Sequence, residues 1–285
     1  MKLNYKRTIL VGFAFFLISA FWQAYDATIP VILTNKFGMS QTWSGLIMAI
    51  DNILAVFMLP IFGSISDKCR SPKGKRTPFI TIGTIIAAIA LVSLSVVDIV
   101  QLKNISDVAK IDDPAALSVI YDKQADTTLK TPEGKEFILS ELMDKETFVS
   151  IRSQIVEPSG EKSTSKDYTN YVVPARQACA ATVTAAAPAT IIIFLAILLL
   201  LLISMATFRT PAVALMPDVT IKPLRSKANA IINLMGNAGG IIVLGLGTVM
   251  AISKVKNAYM SYTGVFAIVG GLMLVALLIF LLTVK

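Results

Sequence analysis

Two carboxylates stand where the surrounding residues offer them no water. Asp26 lies in Trp22-Gln23-Ala24-Tyr25-Asp26-Ala27-Thr28 and Asp51 in Met48-Ala49-Ile50-Asp51-Asn52, each inside a long apolar run. A charged side chain deep in an apolar span costs at least about 2.5 kcal/mol on insertion scales, so such groups face a bundle interior or a wet cavity. The chain has no histidine, which removes imidazole bases, imidazole relays and His-ligated metals. Carboxylates must then carry any proton. Two of them sharing one poorly solvated site resist double ionisation, which is the chemistry of a proton carrier. Asp51 is the first candidate for proton or cation coupling and Asp26 the second. The alternatives for each are direct hydrogen bonding to solute hydroxyls and a structural polar contact between neighbouring helices.

A second polar feature is Asn229, Asn233 and Asn237. The i, i+4, i+8 spacing forms one stripe on an otherwise apolar helix. Gly236, Gly239 and Gly240 lie beside it, and small residues let helices approach closely. Amides and aromatic rings together suit a solute with many hydroxyls and an apolar ring face. Asn233, Asn237, Trp22, Tyr25, Asn52 and Gln23 are therefore the substrate-binding candidates. Asn233 and Asn237 serve helix packing equally well, and packing is favoured for Asn229. Trp43 reads as an interfacial anchor.

These residues need membrane-spanning helices to position them. Of 285 residues, 55% are hydrophobic and 15% charged, with a mean hydropathy of +0.71. An ordinary soluble domain carries roughly 25% charge. Six segments are long enough to span about 30 Å of hydrocarbon: about 8–34, 43–65, 78–98, 180–207, 228–252 and 259–283. The first runs past the core length of a signal peptide. With the N-terminus inside, twelve basic residues fall on the inner side: Lys2, Lys6, Arg7, Lys68, Arg70, Lys73, Lys75, Arg76, Lys222, Arg225, Lys227 and Lys285. Only Lys36, Lys254 and Lys256 fall in short outer loops. This bias puts both termini in the cytoplasm. The net charge of +8 is thus a topology signal and not the mark of a nucleic-acid partner.

The expected fold is an all-α bundle of six transmembrane helices. Residues 1–98 hold helices one to three, 99–179 form a polar extracytoplasmic insertion, and 180–285 hold helices four to six. Fourteen of the eighteen acidic residues lie within 98–177, and a long polar loop translocates largely regardless of charge. Asp113-Pro114 and Thr131-Pro132-Glu133 are helix-start signals, and Glu157-Pro158-Ser159-Gly160 reads as a flexible return. Asn104-Ile105-Ser106 is a glycosylation sequon, relevant only in a host that glycosylates outer loops. Cys69 and Cys179 fall on opposite sides and read as free thiols. No nucleophile–base pair, metal-ligand set or phosphate-cradling loop is visible, so an enzyme, a metal and a cofactor are not expected.

The inner end of the second span reads Gly63-Ser64-Ile65-Ser66-Asp67-Lys68-Cys69-Arg70, followed by Gly74-Lys75-Arg76-Thr77-Pro78-Phe79-Ile80. A solvated basic loop explains the cations but not a lone acid four residues after a glycine. The segment resembles the loop between helices two and three of the major facilitator superfamily. With Leu59-Pro60-Ile61-Phe62 it is similar to sucrose-type sugar–proton symporters, which are close to the glycoside–pentoside–hexuronide:cation symporters. Phe208-Arg209-Thr210-Pro211-Ala212 and Ala214-Leu215-Met216-Pro217-Asp218 resemble the inner end of helix four in the same group. The outer insertion has no counterpart in that pattern.

The resemblance implies the N-terminal six-helix half of a secondary transporter that moves a sugar or glycoside with a cation by alternating access. It also implies an inner-gate charge network of Gly63, Asp67, Lys75, Arg76, Arg209, Asp218 and Arg225, with an Asp67–Arg209 ion pair as its latch and Lys222 beside it. The melibiose permeases carry cation-site acids further along helix two, where Ala55 to Leu59 has none here, so H+ is favoured over Na+. A transporter of this kind has two six-helix halves, and the chain closes after one. A fragment, a truncated gene or a partner half is expected, with a homodimer less favoured. The competing reading is a non-transporting membrane subunit or sensor whose insertion binds a ligand or partner. A bacterial cytoplasmic (inner) membrane fits the short basic tail and the lack of a targeting segment.

Overall fold

The computed structural model describes residues 4–72, 74–156, 161–250 and 259–283. Expectations for Lys2, Lys73, Lys254, Lys256, Lys285, residues 251–252 and the 157–160 return lie outside the described residues. Within them, six helices are long and apolar enough to cross a membrane: Tyr5–Lys36, Gln41–Lys68, Thr77–Asn104, Ala189–Val219, Lys222–Val249 and Thr263–Thr283. Hydrocarbon offers no partner for a bare N–H or C=O, so a spanning segment must satisfy its backbone internally, as these helices do.

The first span is α1 (Tyr5–Val31) with a π-helical end at Ile32–Lys36. The second is α2 (Gln41–Met48) and α3 (Ile50–Lys68), and the third is α4 (Thr77–Asn104). Pro78 sits in the first turn of α4, where its missing N–H costs nothing. Between the third and fourth spans lie α5 (Ser106–Ala109), α6 (Pro114–Gln124), β1 (Thr128–Lys130), β2 (Glu136–Ile138), α7 (Leu139–Leu142), α8 (Lys145–Ser150), β3 (Gln154–Val156), β4 (Lys162–Thr164) and α9 (Val173–Ala186). The remaining spans are α10 (Ala189–Val219), α11 (Arg225–Val249, entered by a 3-10 turn) and α12 (Thr263–Thr283).

α1 and α10 are the central pair. α11 packs along α1 and α3 along α10, while α4 packs on α10, α12 packs on α1, and α4 and α12 meet each other. One core runs through the bundle, with Phe21, Tyr25, Leu91, Phe194, Phe208 and Phe266 fully buried. α1 and α11 can approach because Gly239 faces the α1 backbone: a Cβ there would lie 2.6 Å from the Phe16 carbonyl oxygen. A backbone atom cannot swing aside, so Gly239→Ala is expected to cost about 2 kcal/mol. Thermal unfolding in detergent checks this, and an unchanged midpoint would refute the close approach.

The 105–183 region has its own hydrophobic cluster, built on Leu117, Ile120, Leu139, Phe148, Tyr168 and Val172. α6 begins where the Asp113-Pro114 signal places it, with the Asp113 carboxylate accepting from Ala115 N–H at 3.1 Å. The Thr131-Pro132 signal does not start a helix. It is the turn of the β1–β2 hairpin, which pairs Thr128 with Ile138 and Lys130 with Glu136. Gly134 at φ +86° lets the chain reverse there, and the flanking strands override the local cap. β3 and β4 form a second antiparallel hairpin.

Two boundaries differ from the sequence reading. α4 runs to Asn104, so residues 99–104 belong to the third span and not to the polar insertion, and Asp98 lies well inside that span. The fourth span starts at Ala189, because Ala187-Pro188 breaks the apolar run and the Ala-rich segment before it is the separate α9. The residue before a proline is disfavoured in helical geometry.

Candidate functional site

Trp22, Gln23 and Asp26 project from successive turns of α1 into a cleft of about 610 Å³. α11 supplies Asn237, Gly240, Ile241 and Leu244 to the opposite wall, and Arg209 of α10 lies at its back. Asp26 and Asn237 are exposed in this cleft, and Trp22 and Gln23 are half-buried. Asn233 and Asn229 are exposed on α11, one and two turns before Asn237. The structure therefore brings Asn237 to the acid-bearing cleft and leaves the other two asparagines outside its walls.

Asp51 opens α3 and lines an adjoining recess of about 10 Å³ together with Trp22, Ala55, Leu59, Leu202, Ala206 and Arg209. Its carboxylate accepts from the Asn52 amide at 3.1 Å, which gives Asn52 a supporting contact in place of an open binding position. Asp26 and Asp51 are within electrostatic reach of each other and of the Tyr25 hydroxyl. Tyr25 is buried, and its ring and that of Trp22 meet edge to face at 5.3 Å. The Trp22 indole N–H and the Tyr25 hydroxyl have no hydrogen-bond partner among the described residues. Buried polar atoms of this kind call for an unseen partner such as water or a ligand.

Arg209 corrects the sequence reading. No Asp67–Arg209 pair forms. The Arg209 guanidinium lies 5.5 Å from the Trp22 ring, within cation–π range. The cause is the later start of α10. Its end is at Val219, so Arg209 sits ten residues, about 15 Å, from that end.

The partners of Asp67 are closer in sequence. Arg76, at the start of α4, pairs with Asp67 of α3 and bonds Asp218 of α10 at 3.0 Å. It also donates to the Ser66 hydroxyl at 2.5 Å. Lys75 adds longer contacts, 4.0 Å to Asp67 and 3.6 Å to Asp218. Gly63 faces the Thr210 methyl at 3.2 Å from where a Cβ would stand, so α3 and α10 lie close beside this network. Arg225 does not join the Asp218 cluster. It donates to the Pro217 and Thr220 carbonyls at 2.9 and 3.2 Å, because the end of a helix leaves carbonyls without partners. Lys222 is exposed beside it.

At the opposite end of the bundle lies a pair the sequence reading missed. Lys36, taken as a loop cation, is fully buried and bonds Asp98 at 2.5 Å. Arg176 of α9 is a second such case. It is 1% exposed, donates to the Tyr168 hydroxyl at 3.0 Å and lies 5.2 Å from the Tyr259 ring. The signal for the first was present: one lone cation and one lone acid lie toward the same end of neighbouring spans. Nothing in the spacing marks Arg176. Cys69 and Cys179 are free thiols, and burial pushes the Cys179 thiol up, away from reactivity.

Among the described residues, no group of three or more His, Cys, Asp or Glu side chains could hold a metal ion. Residues 10–99 match the protein family described as MFS/sugar transport protein. The matched segment covers most of the first three spans and with them Asp26, Asp51, Asp67, Lys75 and Arg76. Arg209, Asp218 and the asparagine stripe lie beyond it. That family is one of transporters and not of enzymes. No solved structure matches the chain.

Proposed function

We propose that this polytopic membrane protein forms one six-helix flank of a secondary transporter that carries a sugar or glycoside together with a proton by alternating access. The observation that carries the reading is the cleft itself. Within a chain whose first three spans match a sugar-transport family, it gathers an acid, a cation, an amide and an indole. Its volume of about 610 Å³ falls in the range of small-molecule sites. Trp22 would stack on the apolar face of a sugar ring, and Asp26, Gln23 and Asn237 would bond its hydroxyls. Asp51 is the coupling carboxylate, and Ala55 to Leu59 beside it offer no acid to build a sodium site.

A second six-helix bundle would cover the cleft. α11 and α3 present mostly exposed residues, and bare lipid would leave Asp26 unsolvated. The basic bias of the loops supports cytoplasmic termini and an outer insertion between Asn104 and Ala189, and we place the chain in a bacterial inner membrane. The Asp67–Arg76–Asp218 network then stands at the inner gate, where Arg76 locks the inner ends of the second, third and fourth spans.

The test is uptake of labelled disaccharides by cells expressing the chain under an imposed inward proton gradient. Accumulation that a protonophore abolishes is expected, and Asp51→Asn should retain exchange while losing accumulation. A variant that still concentrates sugar with protons would remove Asp51 from the role. A chain that accumulates no sugar in any condition, either alone or co-expressed with a second six-helix half, would overturn the transport reading.

A further inference from the structure

Trp22 and Arg209 border two different spaces. One is the open cleft of Asp26 and Asn237, the other the small recess of Asp51. The guanidinium lies 5.5 Å from the indole ring, so the two side chains stand together where the spaces adjoin. The recess measures about 10 Å³, close to the room one water needs. Its other walls are Ala55, Leu59, Leu202 and Ala206, which offer a cation no side-chain oxygen. The charged and titratable groups around Asp51 are Tyr25 and Asp26 from α1 and Arg209 from α10. Arg209 forms no ion pair with either acid among the described residues, and its fixed positive charge repels any metal ion placed beside Asp51. Hard cations bind through several oxygen ligands at once, and the Asp51 carboxylate alone cannot supply them.

We infer that the neighbouring Trp22–Arg209 pair is an internal partition, and that the recess behind it is a one-water proton site from which Arg209 excludes alkali cations. This deepens the transport reading and rests on it. It makes Arg209 the residue that sets cation specificity, and Trp22 the element through which a bound sugar ring would be felt at Asp51.

The partition is tested on the full chain in lipid nanodiscs, after Cys69→Ser and Cys179→Ser, with single cysteines at Asn237 or Ala206. A water-soluble thiol reagent should label N237C at least about tenfold faster than A206C, and R209A should remove most of that difference by opening the recess. Equal rates in the parent would overturn the partition. Selectivity is read separately from Trp22 emission after Trp43→Phe, which leaves one indole. The emission should titrate with pH, lose that titration in D51N, and give no response when sodium replaces choline at constant ionic strength. R209Q should gain a sodium response that R209K does not. A sodium response in the parent, or an unchanged titration in D51N, would overturn the proton-site assignment. Neither readout requires uptake. A chain that concentrates sugar but labels evenly loses only the partition, and one with an intact partition that transports nothing, alone or with a second six-helix half, loses the transport reading.

Discussion

Lys36→Met is expected to destabilise the protein by roughly 3–5 kcal/mol, because it strands Asp98 in a site built for an ion pair. Both side chains are 0% exposed. Lys36 donates to Asp98 at 2.5 Å and to the Met260 carbonyl at 2.6 Å, and the other Asp98 oxygen accepts from Tyr262 N–H at 3.1 Å. The ammonium also lies 4.5 Å from the Tyr262 ring. The surrounding backbone is tied in as well. Gln101 donates to the Lys36 carbonyl at 2.8 Å and to the Thr184 hydroxyl at 3.1 Å, and Thr190 donates to the Gln101 side-chain oxygen at 3.0 Å. One small network thus fastens the end of the first span to the third and sixth spans, to α9 and to the start of α10. Asp98→Leu should cost a similar amount. The double variant should recover most of the loss, since an apolar pair of similar volume is often as stable as a buried ion pair. Denaturant unfolding of the four proteins in detergent, analysed as a double-mutant cycle, checks this. Single variants that unfold with the parent would refute it.

The same pair shows why some of this protein was legible in its sequence and some was not. Apolar runs announce spanning helices because a bilayer admits little else, and each of the six spans overlaps a segment found from hydropathy. Helix rise alone set Asp26 and Asp51 at one depth, and in the folded chain they lie within electrostatic reach of each other. Charge partners are a different matter. Lys36 and Asp98 are 62 residues apart, and each stands at a span end, where a hydropathy window stops before the helix does. Charge counting therefore puts Lys36 in a loop and groups Asp98, at the last residue of its span, with the acids of the insertion. Arg209 was misplaced by a related error. α9 is rich in alanine and merges with the apolar run of α10, so the fourth span was started too early and Arg209 was set at its inner end. Only the break at Ala187-Pro188 tells the two helices apart. Arg76, by contrast, was read as part of the gate, but its partner could not be chosen. Several cations and two acids crowd that end, and sequence order does not rank their distances.

Arg76→Ala is the second large effect, with an expected cost of about 3 kcal/mol from lost charge-assisted hydrogen bonds. Its side chain is 7% exposed and bonds Asp218 at 3.0 Å, Ser66 at 2.5 Å, and Asp67. The acids will not suffer equally. Asp67 is 58% exposed and Asp218 31%, so water replaces more of what Asp67 loses, and exposed pairs contribute little. The expected order of damage is Arg76→Ala, then Asp218→Asn, then Asp67→Asn. Arg76→Lys should not rescue fully, because a single ammonium cannot present the guanidinium fork to three oxygens on two helices. Cys69, half-buried where α3 ends, supplies a local readout beside global unfolding. Its labelling rate should rise in Arg76→Ala and Asp218→Asn before the bundle melts. This follows from geometry: apart from Arg76, the charged links among α3, α4 and α10 at that end, among the described residues, are the longer contacts of Lys75, so releasing Arg76 frees the connecting loop first. Labelling and unfolding that both stay at parental values in Arg76→Ala would mean that packing around Gly63 and Thr210 holds the three helices without the charges.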